Sequence, residues 1–213
     1  MVFDRLHDAV VSLDLPPGSK ISEAEIARSL DVSRQPVRDA FFRLSKLGFL
    51  SIRPQRATLV TRISEAAVLR AAFIRTALEL ACLNAAFPRL TAADLDNLAA
   101  DITAQDHAIA AGDRPGFHAL DDRFHRRICE IAGHGYAWDL IREQKAHMDR
   151  VRFLSLAIGS ADALDDHRHL LRAIRAKNRD SAETVMRQHL GRVKSAMDRL
   201  RGDHPAYFEE SGT

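Results

Sequence analysis

The chain has 213 residues, 46% of them hydrophobic and 28% charged, which excludes an intrinsically disordered polymer and allows one large domain or a small domain beside a medium one. No apolar run approaches the roughly 20 residues of a membrane span, and the opening MVFDRLHDAVVSLDLPPG lacks the basic and apolar regions of a secretory signal, so a cytoplasmic location is expected. The net charge of +2 is uneven: residues 1–62 carry 10 Lys+Arg against 7 Asp+Glu and the remainder 21 against 22, a faintly basic front end on a neutral body.

Phe3, Leu6, Val10, Val11 and Leu13 are spaced as one face of a first helix. Leu15-Pro16-Pro17-Gly18 breaks it, because proline cannot continue the hydrogen-bond ladder. Ser22 and Glu25 have the spacing of a capping box, and Ile26 and Leu30 continue that second, short helix. Asp31-Val32-Ser33 is a tight connection, with Ser33 the N-cap of a third helix that runs to about Leu47 and stops at Gly48. Phe49–Ile52 and Thr58–Thr61 are β-prone runs on either side of Pro54-Gln55-Arg56-Ala57, which predicts a small hairpin. Helix, helix, tight turn, helix, hairpin is the order of a winged helix-turn-helix, whose helix after the turn enters the DNA major groove. Val37, Phe41 and Leu44 hold that helix to its own domain and leave Arg34, Gln35 and Arg38 on its leading edge, beside Ser33. Arginine forks suit guanine or phosphate, and the Gln35 amide suits adenine. Arg56 is expected at the hairpin tip, within reach of the minor groove or backbone. A solvated charged face is the alternative for any one of these arginines taken alone.

From Ser64 onward the pattern is helical: Ser64–Phe87, Thr91–Ala111, Pro115–Ala132, Gly135–Leu156, Ala161–Lys177 and Asp180–Arg201. The protein is therefore expected to be mainly α. A winged helix-turn-helix with its hairpin spans 1–63, and an all-helical, six-helix antiparallel bundle spans 64–213. The junction Arg62-Ile63-Ser64 is not rich in Gly or Ser, which predicts two packed domains. The two cysteines, Cys82 and Cys129, lie in apolar helical sequence and read as buried thiols, not a disulfide.

Three of these helices carry polar residues where a core is expected. Asp121 and His125 lie on or beside the stripe Phe117, Leu120, Phe124, Ile128, Ile131. His167 fills the slot between Leu164 and Leu171, and His189 sits among Ala182, Val185, Met186, Val193 and Met197. Buried groups of this kind need partners. One divalent cation satisfies all four, with Asp121 and His125 reaching it from one helix face. Three nitrogens and one oxygen suit zinc, nickel, manganese or iron. The alternative is four core residues satisfied by ordinary hydrogen bonds, and His118, Asp122 and His169 are near-miss ligands. Arg75 is placed either to pair with an anionic ligand or to bridge Glu79 four residues on. His134 and Arg150 are weaker candidates for the same ligand role. No HExxH, Gly-rich phosphate loop or general base accompanies the set.

The stretch LPPGSKISEAEIARSLDVSRQPVRDAFFRLSKLGFLSIRP closely resembles the winged helix-turn-helix of GntR-type bacterial transcription regulators. The D-x-x-F-H run at Asp121–His125, DHRHLLRAI at Asp166–Ile174 and RQHL at Arg187–Leu190 resemble the FCD ligand-binding domain of the FadR subfamily. The resemblance covers about Phe3 to Arg201. It implies a homodimer that binds a roughly palindromic double-stranded operator, usually as a repressor. It also implies a small effector, often a carboxylate metabolite, and in many members a metal on one Asp and three His. Carried onto this chain, those ligands are Asp121, His125, His167 and His189, and Arg34, Gln35 and Arg38 fall on DNA-contact positions. Ala57 stands where the family usually has glycine, Gln35 where threonine is commoner, Ala24 where some relatives have arginine, and His134 where asparagine is frequent. The leading expectation is a metabolite-responsive transcriptional regulator. A metal-dependent cytosolic hydrolase or lyase using the same Asp/His set is the alternative enzyme reading, and a constitutive DNA-binding protein with a purely dimerising bundle is a third.

Overall fold

A computed structural model describes residues 2–52 and 57–210, with backbone alone at 156–158. Helix α1 (Val2–Val11) buries Leu6, Val10 and Val11. A two-residue strand, β1 (Lys20–Ile21), leads into α2 (Glu23–Ser29), whose N-cap Ser22 accepts the Glu25 N–H at 3.2 Å. Asp31 turns the chain into α3 (Arg34–Lys46) with φ at +52°, a left-handed conformation that aspartate tolerates better than bulkier residues. At the far end Gly48, with φ at +80°, redirects the chain into β2 (Leu50–Ser51).

The expected hairpin is present: β2 pairs antiparallel with β3 (Thr58–Val60), Leu50 opposite Val60. It belongs to a three-stranded sheet, because β1 pairs on the other side of β3, Lys20 opposite Leu59. Two residues are too few for an alternating pattern, so β1 left no mark in the sequence. The hairpin tip, with the Arg56 expected there, lies outside the described residues; Ala57 next to it is exposed. Leu6, Val10, Val37, Phe41, Leu44, Phe49 and Val60 form the core of this head.

Five long helices follow: α4 (Glu65–Ala86), α5 (Ala92–Ala110), α6 (Arg114–Ile131), α7 (Gly135–Arg175) and α8 (Arg179–Asp203). Thr91 and Asp94 make the full capping box that opens α5. The segments expected as separate helices on either side of Gly159 are joined end to end in the 41-residue α7. A lone glycine costs a helix only about 1 kcal/mol relative to alanine, and Gly159 has no proline beside it to force a stop. Arg152 and His167, fifteen positions apart and about 22 Å along a straight helix, both reach Asp121, so α7 curves between them.

Helix α7 takes part in all three hydrophobic cores. Ile141, Leu164, Leu170 and Ile174 belong to the main bundle core. Met148 and Val151 pack with Ile63, Val68, Val193, Met197 and Phe208, and Ala146 lies in the core of the head. The chain's last described segment clamps the junction between head and bundle: Ile63 N–H donates to the Tyr207 carbonyl at 2.8 Å, and Glu209 N–H to the Ile63 carbonyl at 3.0 Å. The head is thus packed on the bundle, as the junction's composition implies.

Candidate functional site

The four polar residues singled out from the stripes meet inside the bundle. Asp121 and His125 come from α6, His167 from α7 and His189 from α8; all four are buried, and one donor atom of each lies within 4.8 Å of the others. His125 Nε2 is 3.1 Å from His189 Nε2 and 3.3 Å from His167 Nε2. The Asp121 oxygens stand 3.7 Å from His167 Nε2 and 3.9 Å from His125 Nε2. Donors bound about 2.1 Å from a single ion stand about 3.0 to 4.2 Å apart, depending on the coordination angle, which is the range of these separations. The four could hold a metal ion.

The outer nitrogen of each imidazole faces an acceptor. Gln105 donates its amide N–H to the Leu120 carbonyl at 3.2 Å, so its oxygen points the other way and accepts from His167 Nδ1 at 2.7 Å. His125 Nδ1 lies 2.5 Å from Glu79 Oε2, and His189 Nδ1 lies 3.4 Å from Asp166 Oδ2. The Gln105 hydrogen bond holds the His167 proton at Nδ1 and leaves its Nε2 lone pair turned inward, as in metal-binding histidines, while Glu79 and Asp166 place a carboxylate near the outer nitrogen of the other two rings. Burial opposes protonation of His167, and the neighbouring His189 adds to the effect, so its pKa lies well below 6.5; burial also lowers His189, against the pull of Asp166. Burial pushes the Asp121 carboxyl up, but the Arg152 guanidinium beside it outweighs this and holds the group ionised. Asp121 Oδ1 is buried without a hydrogen-bond partner, an orphan that a cation would satisfy. Stacking of Phe124 on His167, with centroids 4.4 Å apart, helps fix that ring.

Two of the four, Asp121 and His189, form part of the wall of a cavity of about 360 Å³ between α4, α6, α7 and α8. Arg75, Asp121, Arg152 and His189 line its inner part. Arg75 does bridge Glu79, with Nε 2.5 Å from Oε1, yet its Nη2 is buried and unpartnered. The bridge to Glu79 thus leaves one donor of this arginine for a further partner. Arg152, whose guanidinium pairs with Asp121 and, at 3.2 Å, with Asp149, was not anticipated from sequence. His134 stands exposed at the N-terminus of α7, away from the cavity lining. Arg150 is also away from it: its Nη2 donates to the Thr61 carbonyl at 2.6 Å, and burial lowers its pKa to about 10. Of the near-miss ligands, His118 and Asp122 join a separate ion network with Lys145, Asp149 and Arg152, while His169 turns back to the Asp165 carbonyl.

Glu79, Gln105 and Asp166 were missed as supporting groups. Gln105 interrupts the buried α5 series Leu98, Ile102, Ala108, and Glu79 sits among Leu80, Cys82 and Leu83, so polar residues on apolar stripes were the available signal. Cys82 and Cys129 are buried free thiols.

On the head, α3 turns Val37, Ala40, Phe41 and Leu44 inward and leaves Ser33, Arg34, Gln35 and Arg38 exposed. Gln35 donates to Asp39 at 3.0 Å, and Arg38 reaches Glu23 at 3.4 Å, a surface pair of little strength. Among the described residues no helix is long and apolar enough to cross a membrane.

A three-stranded sheet on a helix-turn-helix, joined to a helical bundle with a buried Asp/His cluster, is the architecture of a DNA-binding regulator. Comparison with known proteins gives the family. Residues 1–60 match the bacterial regulatory proteins of the gntR family, and residues 71–192 match the FCD domain. The chain belongs to the GntR family of transcription regulators, in its FCD-containing, FadR-type subfamily. It is 34% identical to the HTH-type transcriptional repressor RspR of Escherichia coli strain K12 over 98% of this chain and 92% of that one. It is 29% identical to the probable D-xylose utilization operon transcriptional repressor of Paenarthrobacter nicotinovorans, over 92% of this chain and 87% of the relative. The fold matches the solved structure of E. coli McbR/YncC with a TM-score of 0.77 at 22% identity, covering 93% of this chain and 96% of that one. These are regulators, not enzymes, which sets aside the hydrolase or lyase alternative.

Replacing Gln105 with leucine removes the acceptor that fixes the His167 tautomer while leaving all four donors in place. Metal affinity, measured by competition with a chromophoric chelator, is expected to fall about 10- to 100-fold; an unchanged affinity would show that the outer hydrogen bond does not orient the ligand. The histidines also set a pH dependence. The unfolded chain protonates His167 and His189 near 6.5 and the folded metal-free chain does not, so stability present above that pH is lost as pH falls below it. The melting temperature of chelator-treated protein should drop between pH 7.5 and 5.5, and the double replacement of His167 and His189 by leucine should flatten that drop.

Proposed function

We propose that this protein is a repressor that binds operator DNA through residues 1–63 and releases it when the domain at 64–213, loaded with a divalent metal, takes up a small carboxylate. The observation that carries the reading is the convergence of three histidine rings and one orphaned carboxylate oxygen, with Asp121 and His189 of that set opening onto a cavity. Zinc, nickel, manganese and iron all accept such a donor set. The residues that would hold the ion are Asp121, His125, His167 and His189, and its open positions would face the cavity.

Charge supports both the ion and the sign of the effector. With the histidines neutral, the positive groups packed around the site are Arg75, Lys145, Arg152 and Arg192. They face Glu79, Asp121, Asp122, Asp149 and Asp166, one negative charge in excess. A divalent cation reverses this to one positive charge in excess, which a single carboxylate neutralises. The buried Nη2 of Arg75 gives that carboxylate a second, charge-assisted partner. We assign the effector role to Arg75, not to His134 or Arg150, which lie away from the cavity. Arg150 serves the signal instead. On α7, Arg152 grips Asp121, Arg150 holds the Thr61 carbonyl, and His147 donates to the Leu47 carbonyl at 2.8 Å while stacking on Phe49. Whatever moves Arg152 moves the ends of α3 and β3. An effector changes DNA affinity only by the difference in its own affinity for the two arrangements.

The operator reading rests on the exposed Arg34, Gln35 and Arg38 at the start of α3, with the positive end of the helix behind them. Homodimer formation rests on α4. It is apolar nearly all round, yet Ala66, Leu69, Phe73, Ala77 and Ala81 are exposed along one side, Phe73 at 76%. A helix of that composition is normally buried on every face, and a second copy of the same stripe is self-complementary about a two-fold axis.

Arg38→Ala is expected to weaken binding to a selected operator and to lower the slope of log affinity against log salt by about 0.9 for each phosphate the protein no longer neutralises; a gel-shift affinity unchanged across salt would count against the groove assignment. A carboxylate effector that ligates the ion should raise the melting temperature of metal-loaded protein only, and Arg75→Met should abolish that rise without removing the metal. Equal stabilisation of chelated protein would refute ligation. Phe73→Glu should convert the dimer to a monomer in sedimentation equilibrium, and a dimer that persists would move the interface elsewhere.

A further inference from the structure

The operator reading leaves one residue of α3 without a role. Phe42 is 59% exposed. At 100° per residue the buried Val37, Ala40, Phe41 and Leu44 define the inner side of the helix, and Gln35, Arg38, Asp39 and Phe42 lie on the opposite side. Their spacing is i, i+3, i+4, i+7, one continuous stripe. It has the spacing of the four groove-reading positions of a homeodomain helix. Phe42 therefore extends the face that begins with Gln35 and Arg38, one turn further on.

The surroundings of Phe42 say what covers it. Arg34 and Lys46 flank the stripe, Arg38 lies within it, the one acidic member Asp39 is engaged by the Gln35 amide, and the Lys46 ammonium sits 5.4 Å from the Phe42 ring. An apolar ring bordered by cations suits a polyanion that also offers an apolar group. In the major groove that group is the 5-methyl of thymine, the one hydrocarbon among the base edges. We propose that Phe42 packs against thymine methyl groups in the major groove and so determines specificity at those base pairs. This rests on the operator reading above. The four residues from Arg38 to Phe42 rise about 6 Å, which places the thymine about two base pairs from the pair met by Arg38.

The test uses the full-length protein and a duplex selected by that protein from a random-sequence pool. Each thymine in the selected site is replaced in turn by deoxyuridine, which lacks only the methyl, and affinity is measured at one fixed salt concentration. The wild type should lose about fourfold per contacted methyl, the worth of one buried CH₂. Phe42→Ala should bind the thymine duplex more weakly and be indifferent to uracil at the same position. Phe42→Leu, which keeps an apolar contact, should retain part of the discrimination. Equal thymine-to-uracil ratios for wild type and Phe42→Ala would overturn the proposal, as would a Phe42→Ala variant that changes dimer assembly while keeping the wild-type ratio. Failure of the wild type to enrich any sequence would instead overturn the operator reading beneath it.

Discussion

Three imidazole nitrogens converge in the bundle, His125 Nε2 standing 3.1 Å from that of His189 and 3.3 Å from that of His167, and lone pairs turned toward one another at such distances repel unless something positive stands between them. This constraint organises the chamber. Gln105 claims the outer nitrogen of His167, and the carboxylates of Glu79 and Asp166 lie near those of His125 and His189, which favours protons there over a proton at the centre. Burial in turn disfavours the imidazolium of His167 and His189. The Asp121 carboxylate, kept ionised by Arg152, supplies the negative charge a cation requires. An ion held by these four side chains would tie α6, α7 and α8 together, and a cavity lined by Asp121 and His189 lies beside the cluster.

Helix α7 makes the chamber relevant to DNA. It contributes His167 to the cluster, Arg152 to Asp121, Met148 and Val151 to the junction core, and Ala146 to the core of the head. The interactions at its two working regions are unequal in kind. Those near the cluster are charge-assisted pairs of Arg152 with Asp121 and Asp149. Those at the head, His147 on Leu47 and Phe49 and Arg150 on Thr61, are a stack and hydrogen bonds to backbone carbonyls that couple helix position to the α3–β2–β3 frame. One continuous helix that carries charge pairs at the cluster and backbone contacts at the head would give the proposed effector a physical path to the operator-binding end.

Much of this was legible in the sequence because the signals were periodic. The turn at Asp31, the stop at Gly48, the Thr91–Asp94 cap and the apolar faces of α1 to α6 follow from local chemistry. The Asp/His set stood out because four polar residues interrupted three apolar stripes. What the sequence hid was either short or long-range. Strand β1 has two residues, too few for a pattern, and its pairing with β3 spans nearly forty positions. Helix α7 reads as two helices because Gly159 resembles punctuation, whereas the packing of its two halves holds it continuous. Arg152 and Gln105 gain their roles from partners on other helices, which no local window contains. Arg150 carried the right chemistry for an anion and faces a backbone carbonyl instead, a reminder that charge alone does not say which way a side chain turns.

The most direct test of the central claim is X-ray absorption spectroscopy at the metal edge, on protein purified without chelator and quantified by elemental analysis. One divalent first-row ion per chain is predicted, with a first shell of nitrogen and oxygen and the multiple scattering of three imidazoles, reduced to two in His189→Ala. Protein that carries no stoichiometric metal, and takes up none from zinc, nickel, manganese or iron salts while remaining folded, would contradict it.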